Sequence, residues 1–123
     1  EGPAFAVTVA NTSTYGSGLR IAPGADPTDG CLDVAIIGDI GRFEALRLFP
    51  SVYHGGHVAH PAFRLLRGKH VLVESDDDRL PVHVDGTNAG FAPLEARAAP
   101  GVVSVTVPAP EWVSRPVTGS TLA

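Results

Sequence analysis

Cys31-Leu-Asp-Val-Ala-Ile-Ile37 is the most strongly strand-like stretch of this sequence. Its apolar and β-branched residues favour extended backbone, and the nearly continuous apolar run predicts a strand that is buried on at least one face. Upstream, residues 5–10 (FAVTVA) form a second β-branched, partly alternating run and therefore a second predicted strand. The segment between these two strands is rich in Asn, Thr, Ser, Gly and Asp, so it predicts loops and turns, with one short strand at residues 19–22.

Downstream of Ile37 the pattern becomes helical. Residues 42–49 have apolar side chains at helical spacing, and Pro50 should end or kink this helix. The segment HGGHVAHP at residues 54–61 predicts a loop or a short irregular turn. The members of the apolar helical face are Ala45, Leu46 and Phe49, continued by Val52 and Tyr53.

The rest of the chain is rich in strand signals. A charged turn is predicted at residues 76–79, and Asp85-Gly86 is a strong turn signal. About seven or eight short strands and one helix, separated by close turns, predict a mainly β domain of the sandwich or barrel type. The tail at residues 111–123 carries Pro, Ser, Thr and Gly and should be loosely held. The further candidate strands are residues 62–66, 69–74, 81–85, 94–98 and 102–108.

Length and composition restrict the possible classes of protein. A chain of 123 residues corresponds to one domain, and 44% hydrophobic residues allow a packed core. With a net charge of −4 and no cluster of Lys or Arg, the chain lacks the basic surface that nucleic-acid binding requires, so no nucleic-acid partner is expected. The single cysteine, Cys31, excludes an internal disulfide and fits a reducing compartment. Neither a signal peptide nor an apolar run of about 20 residues is visible.

Asp26 and Asp29 lie three residues apart in a turn-rich segment, and Gly30 can adopt positive φ. Carboxylate oxygens with nearby carbonyls are ligands that Mg²⁺ or Ca²⁺ accepts, although the spacing does not fit an EF-hand. The alternative is an Asx turn, in which each aspartate accepts hydrogen bonds from the local backbone. The spacing alone favours the Asx turn.

The order of motifs resembles the C-terminal domain of bacterial diacylglycerol kinases and their sphingosine and ceramide kinase relatives. The resemblance starts with a strand, Asn11, Gly16-Ser-Gly18 and an Ala-Pro-x-Ala element at residues 22–25. It continues through an Asp-x-x-Asp-Gly-x-Leu-Asp-Val signature at residues 26–34, a Gly- and His-rich element at residues 53–58, and Val84-Asp85-Gly86. It covers about residues 5–108.

This resemblance implies a two-sheet β-sandwich with one short α-helix over residues 1–110, following an N-terminal nucleotide-binding domain that is absent from this chain. That domain would bind most of the ATP, and the active site would lie between the two domains. Asn11, Gly16 and Gly18 would face the cleft. The equivalents of Asp26, Asp29 and Cys31 would hold a structural Mg²⁺ ion. The chain also starts without Met at Glu1, so we interpret it as part of a longer protein.

The sequence departs from the family pattern at a catalytic position. The family motif is Asp-Gly-Glu, whereas this chain has Asp85-Gly86-Thr87. The family glutamate activates the lipid hydroxyl, and a threonine hydroxyl has no basic form near neutral pH. Asp85 or another carboxylate therefore takes that role, or activity is changed or lost. Asp85-Gly86 as a simple turn remains the alternative. A smaller departure is Ser17, where the family often has a third glycine.

Three histidines, His54, His57 and His60, recur at every third position and could supply imidazole ligands to zinc. The glycines and the proline around them argue against a regular helix, so surface or cleft histidines are the favoured interpretation. His83 on an alternating strand is expected to face outward. Cys31 is expected to be a small core residue rather than a nucleophile.

The first functional hypothesis is the C-terminal, substrate-binding domain of an ATP-dependent lipid kinase that phosphorylates the hydroxyl of diacylglycerol or a related lipid. This hypothesis places the protein in the cytoplasm, in peripheral contact with the membrane. Without the nucleotide-binding domain, this chain alone should be inactive. The alternatives are a non-catalytic β-sandwich that binds a divalent metal and a degenerate kinase homologue that binds lipid without turnover. A homodimer stays open, because the sequence does not fix the oligomeric state.

Overall fold

Seven strands, one α-helix and one short 3₁₀ helix make up the computed structural model, which describes residues 2–106. Strand β1 precedes a long connection that leads to β2, and α1 and the 3₁₀ helix lie between β2 and β3. The remaining strands follow in close succession. The elements are β1 (Ala4–Ala10), β2 (Leu32–Gly38), α1 (Arg42–Val52), the 3₁₀ helix (Gly56–Ala59), β3 (Phe63–Gly68), β4 (His70–Val73), β5 (Pro81–Val84), β6 (Thr87–Phe91) and β7 (Leu94–Arg97).

All strand pairs are antiparallel. The order in the main sheet is β1-β2-β3, so the most strand-like stretch of the sequence is the central strand. Two further ladders, β4 with β7 and β5 with β6, complete the β structure of the described residues. The prediction of a mainly β domain with one short helix is confirmed.

The core lies on both faces of β2. Because side chains alternate along a strand, Leu32 and Val34 point to one face and Ala35 to the other, and all three are buried. On the Ala35 face, Phe63 of β3 packs against His57 of the 3₁₀ helix, with ring centroids 4.3 Å apart. This face is therefore closed by the chain between β2 and β3, and it is the better packed of the two.

Most predicted elements are present; the strand ends lie within two residues of the expected positions, and α1 extends three residues beyond its predicted end. Two predicted strands are absent from the described part of the chain. In residues 19–22 the structure has only an isolated bridge, in which Tyr15 and Leu19 exchange backbone hydrogen bonds of 2.7 and 3.0 Å. The N–H of Arg20 donates to the carbonyl of Val52 in α1, so this backbone is bonded to the helix and not to a sheet.

The second incorrect prediction is the strand at residues 102–108. Residues 102–106 have no ladder partner and no strand assignment, and positions 107 and 108 lie outside the described residues. The alternation of Val and Ser favours extended backbone, but a segment becomes a strand only when its backbone can form hydrogen bonds with a neighbouring strand. Val102, Val103 and Val105 are about three-quarters exposed, so this segment has no such neighbour among residues 2–106. The predicted tail at 111–123 also lies outside the described residues.

Pro50 does not end α1, which continues to Val52. In the last turn, the missing N–H of proline removes one hydrogen bond, the one to the carbonyl of Leu46, and the few residues that follow keep their helical backbone. Within residues 2–106, neither helix has the length and apolar character needed to cross a membrane.

Strand β6 was not predicted, because Thr87-Asn-Ala-Gly-Phe91 has few residues of high β-propensity. It is a strand because the tight turn at Asp85-Gly86 returns the chain against β5, where Val84 pairs with Thr87. A two-residue Asp-Gly turn implies a strand on both sides, so the turn signal itself could have identified β6.

Candidate active-site cleft

Two distant parts of the sequence meet in an open cleft of about 640 Å³. One wall is the end of β1 and the loop that follows it, including Asn11, Tyr15 and Gly16. The other wall is the turn between β5 and β6, which brings Asp85 and Gly86 to the same cleft. Of the residues predicted to face the cleft or to carry catalysis, the structure thus places Asn11, Gly16 and Asp85 together.

The position of Asp85 is set by an unusual backbone conformation. Asp85 has φ of 49° and Gly86 has φ of 82°, so both central residues of the two-residue turn are left-handed, as in a type I′ turn. Aspartate tolerates this region better than most residues, and glycine adopts it without steric cost. The turn therefore presents the Asp85 carboxylate at the tip of the hairpin, beside the loop after β1.

Two predicted site residues do not line this cleft. Thr87 is the first residue of β6 and pairs with Val84 across the hairpin. Gly18 has φ of 91° and shapes the turn that the Tyr15–Leu19 bridge closes. Gly18 therefore shapes the loop without lining the cleft. Of the two predicted catalytic residues, Asp85 lies at the cleft and Thr87 does not.

The two candidate metal-binding aspartates form Asx turns. Oδ1 of Asp26 accepts hydrogen bonds from the backbone N–H of Thr28 at 2.8 Å and from its hydroxyl at 2.7 Å. Oδ1 of Asp29 accepts the backbone N–H of Cys31 at 2.8 Å. These are the local contacts that the alternative interpretation of the spacing predicts.

A cation of the protein itself already contacts this loop. The guanidinium of Arg67, on β3, donates to Oδ2 of Asp29 and lies 3.6 Å from Oδ1 of Asp33, its cross-strand neighbour on β2. Both carboxylate oxygens of Asp29 are therefore engaged. Among residues 2–106, no three side chains of His, Cys, Asp or Glu converge on a point where they could hold an ion. As arranged, these side chains do not fit a divalent metal, and the Mg²⁺ site remains a prediction of the resemblance.

The hydrogen bonds to Asp26 make its ionisation sensitive to Thr28. The Thr28 hydroxyl, and then the Thr28 backbone N–H, lower the pKa of Asp26 below its ordinary value of 3.8. A lowered pKa in the folded state adds stability that is present above pH 3.8 and is lost as the pH falls through the folded-state value. We expect Thr28→Ala to raise the pKa of Asp26 part of the way back, as measured by ¹³C NMR titration of the carboxyl groups.

Glu95 provides an internal control for that titration. Its pKa is lowered by hydrogen bonds from Arg97 and from His70, which do not involve Thr28. The pKa of Glu95 should therefore be the same in the wild-type protein and in Thr28→Ala. A pKa of Asp26 that does not change in the variant would contradict the hydrogen bond from the hydroxyl.

His57 is not a surface or cleft histidine, which corrects the favoured interpretation for this residue, whereas His54 is exposed and His60 is half-buried. His57 is fully buried, its Nε2 lies 3.2 Å from the carbonyl oxygen of Ile21, and its ring contacts Phe63. Nδ1 is buried without a hydrogen-bond partner. Because Ile21 lines the cleft, His57 supports the cleft wall from behind. His83 is exposed, as predicted. Cys31 is half-buried and not fully in the core, which differs from the prediction.

Gly55 allows the backbone to turn into the 3₁₀ helix that carries His57. Its φ is +74°, and a Cβ at this position would lie 2.9 Å from Cγ of Pro23. We expect Gly55→Ala to lower the free energy of unfolding by about 2 kcal/mol, because a left-handed alanine and a steric overlap both add cost. Urea denaturation measures the change.

Gly56 is the matched control for that substitution. A Cβ at Gly56 would lie 3.6 Å from Cβ of Ser51, an ordinary contact, and its φ is not left-handed. Gly56→Ala should therefore change the stability little, or raise it by about 0.5 kcal/mol by restricting the unfolded chain. Equal losses in the two variants would show that the conformation of Gly55 is not the cause.

A second cleft, of about 1150 Å³, covers the other face of the main sheet. Its apolar side chains come from β1, β2, β3 and β4 and from Leu80 just before β5, and many of them are substantially exposed, for example Phe5 at 68% and Leu72 at 56%. An open apolar surface of this extent is unusual unless something covers it. The apolar lining includes Phe5, Val7, Val34, Ile36, Leu66, Val71, Leu72 and Leu80.

Comparison with known proteins identifies the family. The family described as the YegS C-terminal NAD kinase beta sandwich-like domain matches residues 1–107. A diacylglycerol kinase of Mycobacterium tuberculosis is 39% identical over 98 residues, which are 80% of this chain and 31% of that protein. The putative lipid kinase YtlR of Bacillus subtilis is 26% identical over 101 residues, 82% of this chain and 32% of that protein.

The chain thus spans about a third of the length of the curated relatives that it matches. The family match extends over all residues that the structure describes, and the mainly β fold agrees with the sandwich-like description. The resemblance found in the motifs at residues 11–34 and 84–86 is therefore confirmed at the level of the family. This chain belongs to the family of YegS C-terminal NAD kinase beta sandwich-like domains and is a C-terminal domain of the lipid kinase family.

Proposed function

We propose that this chain is the lipid-binding part of an ATP-dependent kinase that phosphorylates the hydroxyl of diacylglycerol or a related lipid. The observation that carries the proposal is the cleft in which Asp85 lies beside Asn11 and Gly16. A carboxylate, a side-chain amide and a glycine-rich backbone can together bind a hydroxyl and accept its proton. The names of the relatives, diacylglycerol kinase and putative lipid kinase, agree with a lipid substrate.

The second cleft supports the lipid part of the proposal. Ligand pockets are concave and mostly apolar, and they carry few polar groups. The cleft between Phe5 of the main sheet and Leu72 of β4 supplies such a surface, and acyl chains are the part of the substrate that would cover it. In this assignment the apolar cleft holds the chains of the lipid.

The chemical role of this chain is to activate and orient the acceptor hydroxyl. The carboxylate of Asp85 accepts the proton of the lipid hydroxyl while its oxygen attacks the γ-phosphorus of ATP, and ADP leaves with the electrons of the broken bond. Asn11 orients the hydroxyl by hydrogen bonding. Most of the ATP would be bound by another part of the intact protein, with the Mg²⁺ that accompanies it to neutralise charge on the phosphates.

The experiment is transfer of ³²P from labelled ATP to a panel of lipids dispersed in detergent, by the intact protein that contains this chain. The panel includes diacylglycerol, monoacylglycerol, ceramide and sphingosine, which differ in the group that carries the hydroxyl. The proposal predicts a labelled phospholipid from at least one of them. Binding of lipid without labelled product would reject kinase activity and support the second candidate function, a homologue that binds lipid without turnover.

One observation favours that second candidate, a homologue that binds lipid without turnover. Thr87 stands where the resemblance implies a catalytic glutamate, and it pairs across the hairpin rather than lining the cleft. If Asp85 is the base, we expect Thr87→Glu to raise the rate of phosphorylation less than about tenfold. A larger gain, measured by the same ³²P assay, would show that the wild-type protein lacks its base.

A further inference from the structure

Helix α1 has two faces of different exposure, and the apolar residues lie mainly on the outer one. Ala45, Leu48 and Val52 recur at three- and four-residue intervals and are half-buried against the domain. The opposite face consists of apolar side chains at the same spacing, so the single apolar face that the sequence predicted is divided between the two sides of the helix. Its members are Phe43 (92% exposed), Leu46 (72%), Phe49 (50%), Pro50 and Tyr53 (43%).

This arrangement is the reverse of an ordinary surface helix, whose outer face is polar. The rings of Phe49 and Tyr53 contact each other edge to face, with centroids 6.1 Å apart. Together with Phe43, Leu46 and Pro50 they form an apolar ridge along the outer face of α1. An exposed apolar ridge of aromatic and aliphatic side chains marks a surface that something else covers.

The charges around this ridge indicate what covers it. Arg42 lies one turn before Leu46, in line with the ridge, and Arg47 lies one turn after Phe43, at the edge of the ridge; both arginines are exposed. Glu44, the acidic residue of the helix, lies toward the opposite face, and its Oε1 is 3.2 Å from Nε2 of His60. The outer surface of α1 is therefore apolar and positively charged, which matches an anionic lipid surface.

The helix is also joined directly to the candidate active-site cleft. The carbonyl of Val52, the last residue of α1, accepts a 3.1 Å hydrogen bond from the N–H of Arg20. The next residue, Ile21, lines the cleft that contains Asp85. A bilayer in contact with α1 would therefore lie next to the loop that forms one wall of that cleft.

We propose that the outer face of α1 is a membrane-docking surface, which inserts Phe43, Leu46, Phe49 and Tyr53 into the headgroup region of a bilayer that contains anionic lipids. This inference rests on the proposed function, because a kinase acting on a membrane lipid has to meet its substrate at the bilayer. Apolar side chains supply the insertion, and Arg42 and Arg47 bind the anionic headgroups. Docking brings the bilayer, and with it the lipid substrate, next to the cleft.

Co-sedimentation of the intact protein with vesicles tests the proposal. The vesicles are phosphatidylcholine alone or phosphatidylcholine mixed with phosphatidylglycerol. We expect Phe43→Ser combined with Leu46→Ser to weaken binding to both kinds by about tenfold or more. Arg42→Gln combined with Arg47→Gln should weaken binding by about tenfold on the anionic vesicles only. Val102→Ser combined with Val103→Ser, which removes side chains about as exposed as Leu46, is the matched control and should bind as the wild-type protein does.

Three outcomes would overturn the proposal. Unchanged vesicle binding of the Phe43 and Leu46 variant would show that α1 does not insert. A lower unfolding temperature of that variant would show that the face packs against another part of the intact protein. A dimeric wild-type protein with a monomeric variant, measured by light scattering, would assign the face to a second copy of the chain.

The same preparation separates this proposal from the proposed function. Phosphorylation of detergent-dispersed diacylglycerol by the unsubstituted protein does not need docking. If that activity is absent while vesicle binding shows the expected pattern, the kinase assignment fails and the docking surface stands. If the activity is present and the binding pattern is absent, the docking surface fails and the kinase assignment stands.

Discussion

Replacement of His57 with alanine is expected to lower the free energy of unfolding by about 3 kcal/mol. His57 is fully buried, so its removal leaves a cavity against Phe63, whose ring lies 4.3 Å away between centroids. The carbonyl of Ile21 also loses the imidazole at 3.2 Å. The cost of the cavity and the cost of the lost hydrogen bond add, because the 3₁₀ helix that carries His57 is short and has few other contacts that could offset these costs.

Urea denaturation of the variant and the wild-type protein measures this loss. His54→Ala is the matched control, since His54 belongs to the same histidine-rich segment and is exposed. It should change the stability by less than about 0.5 kcal/mol. Similar losses in both variants would mean that the segment as a whole, and not the buried imidazole, is responsible.

Asp85→Asn is expected to reduce lipid phosphorylation by about a hundredfold or more, because an amide cannot accept the proton of the substrate hydroxyl. The substitution suits the backbone. Asparagine tolerates the left-handed φ of 49° that the turn requires, so the hairpin and the cleft should keep their shape. The loss should therefore appear in kcat, with little change in KM or in unfolding temperature.

The rate of ³²P transfer at saturating lipid gives kcat for both proteins. Asp78→Asn removes an exposed carboxylate of the same kind whose residue lines neither cleft, and it should leave the rate unchanged. A rate for Asp85→Asn within threefold of wild type, about 0.6 kcal/mol in barrier height, would remove Asp85 from the role of base.

Local signals in the sequence predicted the features that depend on neighbouring residues. Asp85-Gly86 fixes its turn through the left-handed conformation that these two residues tolerate, and Asp26 and Asp29 form Asx turns with residues two positions away. The strand at residues 31–37 was predicted because apolar and β-branched residues dominate it. In these cases the determining contacts lie within a few positions of each other.

Features that depend on distant contacts could not be predicted in the same way. His57 is buried because Ile21, 36 residues earlier, lies against its ring. Arg67 meets Asp29 and Asp33 because β2 and β3 pair in one register, which spacing along the chain does not reveal. The apolar periodicity of residues 42–53 located the helix, but nothing local indicated that Leu46 and Phe49 would face outward.

The separation of the strands into three ladders has a consequence for motion. Asp85 belongs to a two-stranded hairpin, whereas Asn11 follows a strand of the three-stranded sheet whose centre is buried on both faces. A two-stranded ladder is marginally stable alone, so its amides should exchange with deuterium faster than those of β2. The two walls of the cleft therefore belong to units with different opening free energies. We therefore expect the hairpin to be the more mobile wall of the cleft when a bulky substrate enters or leaves.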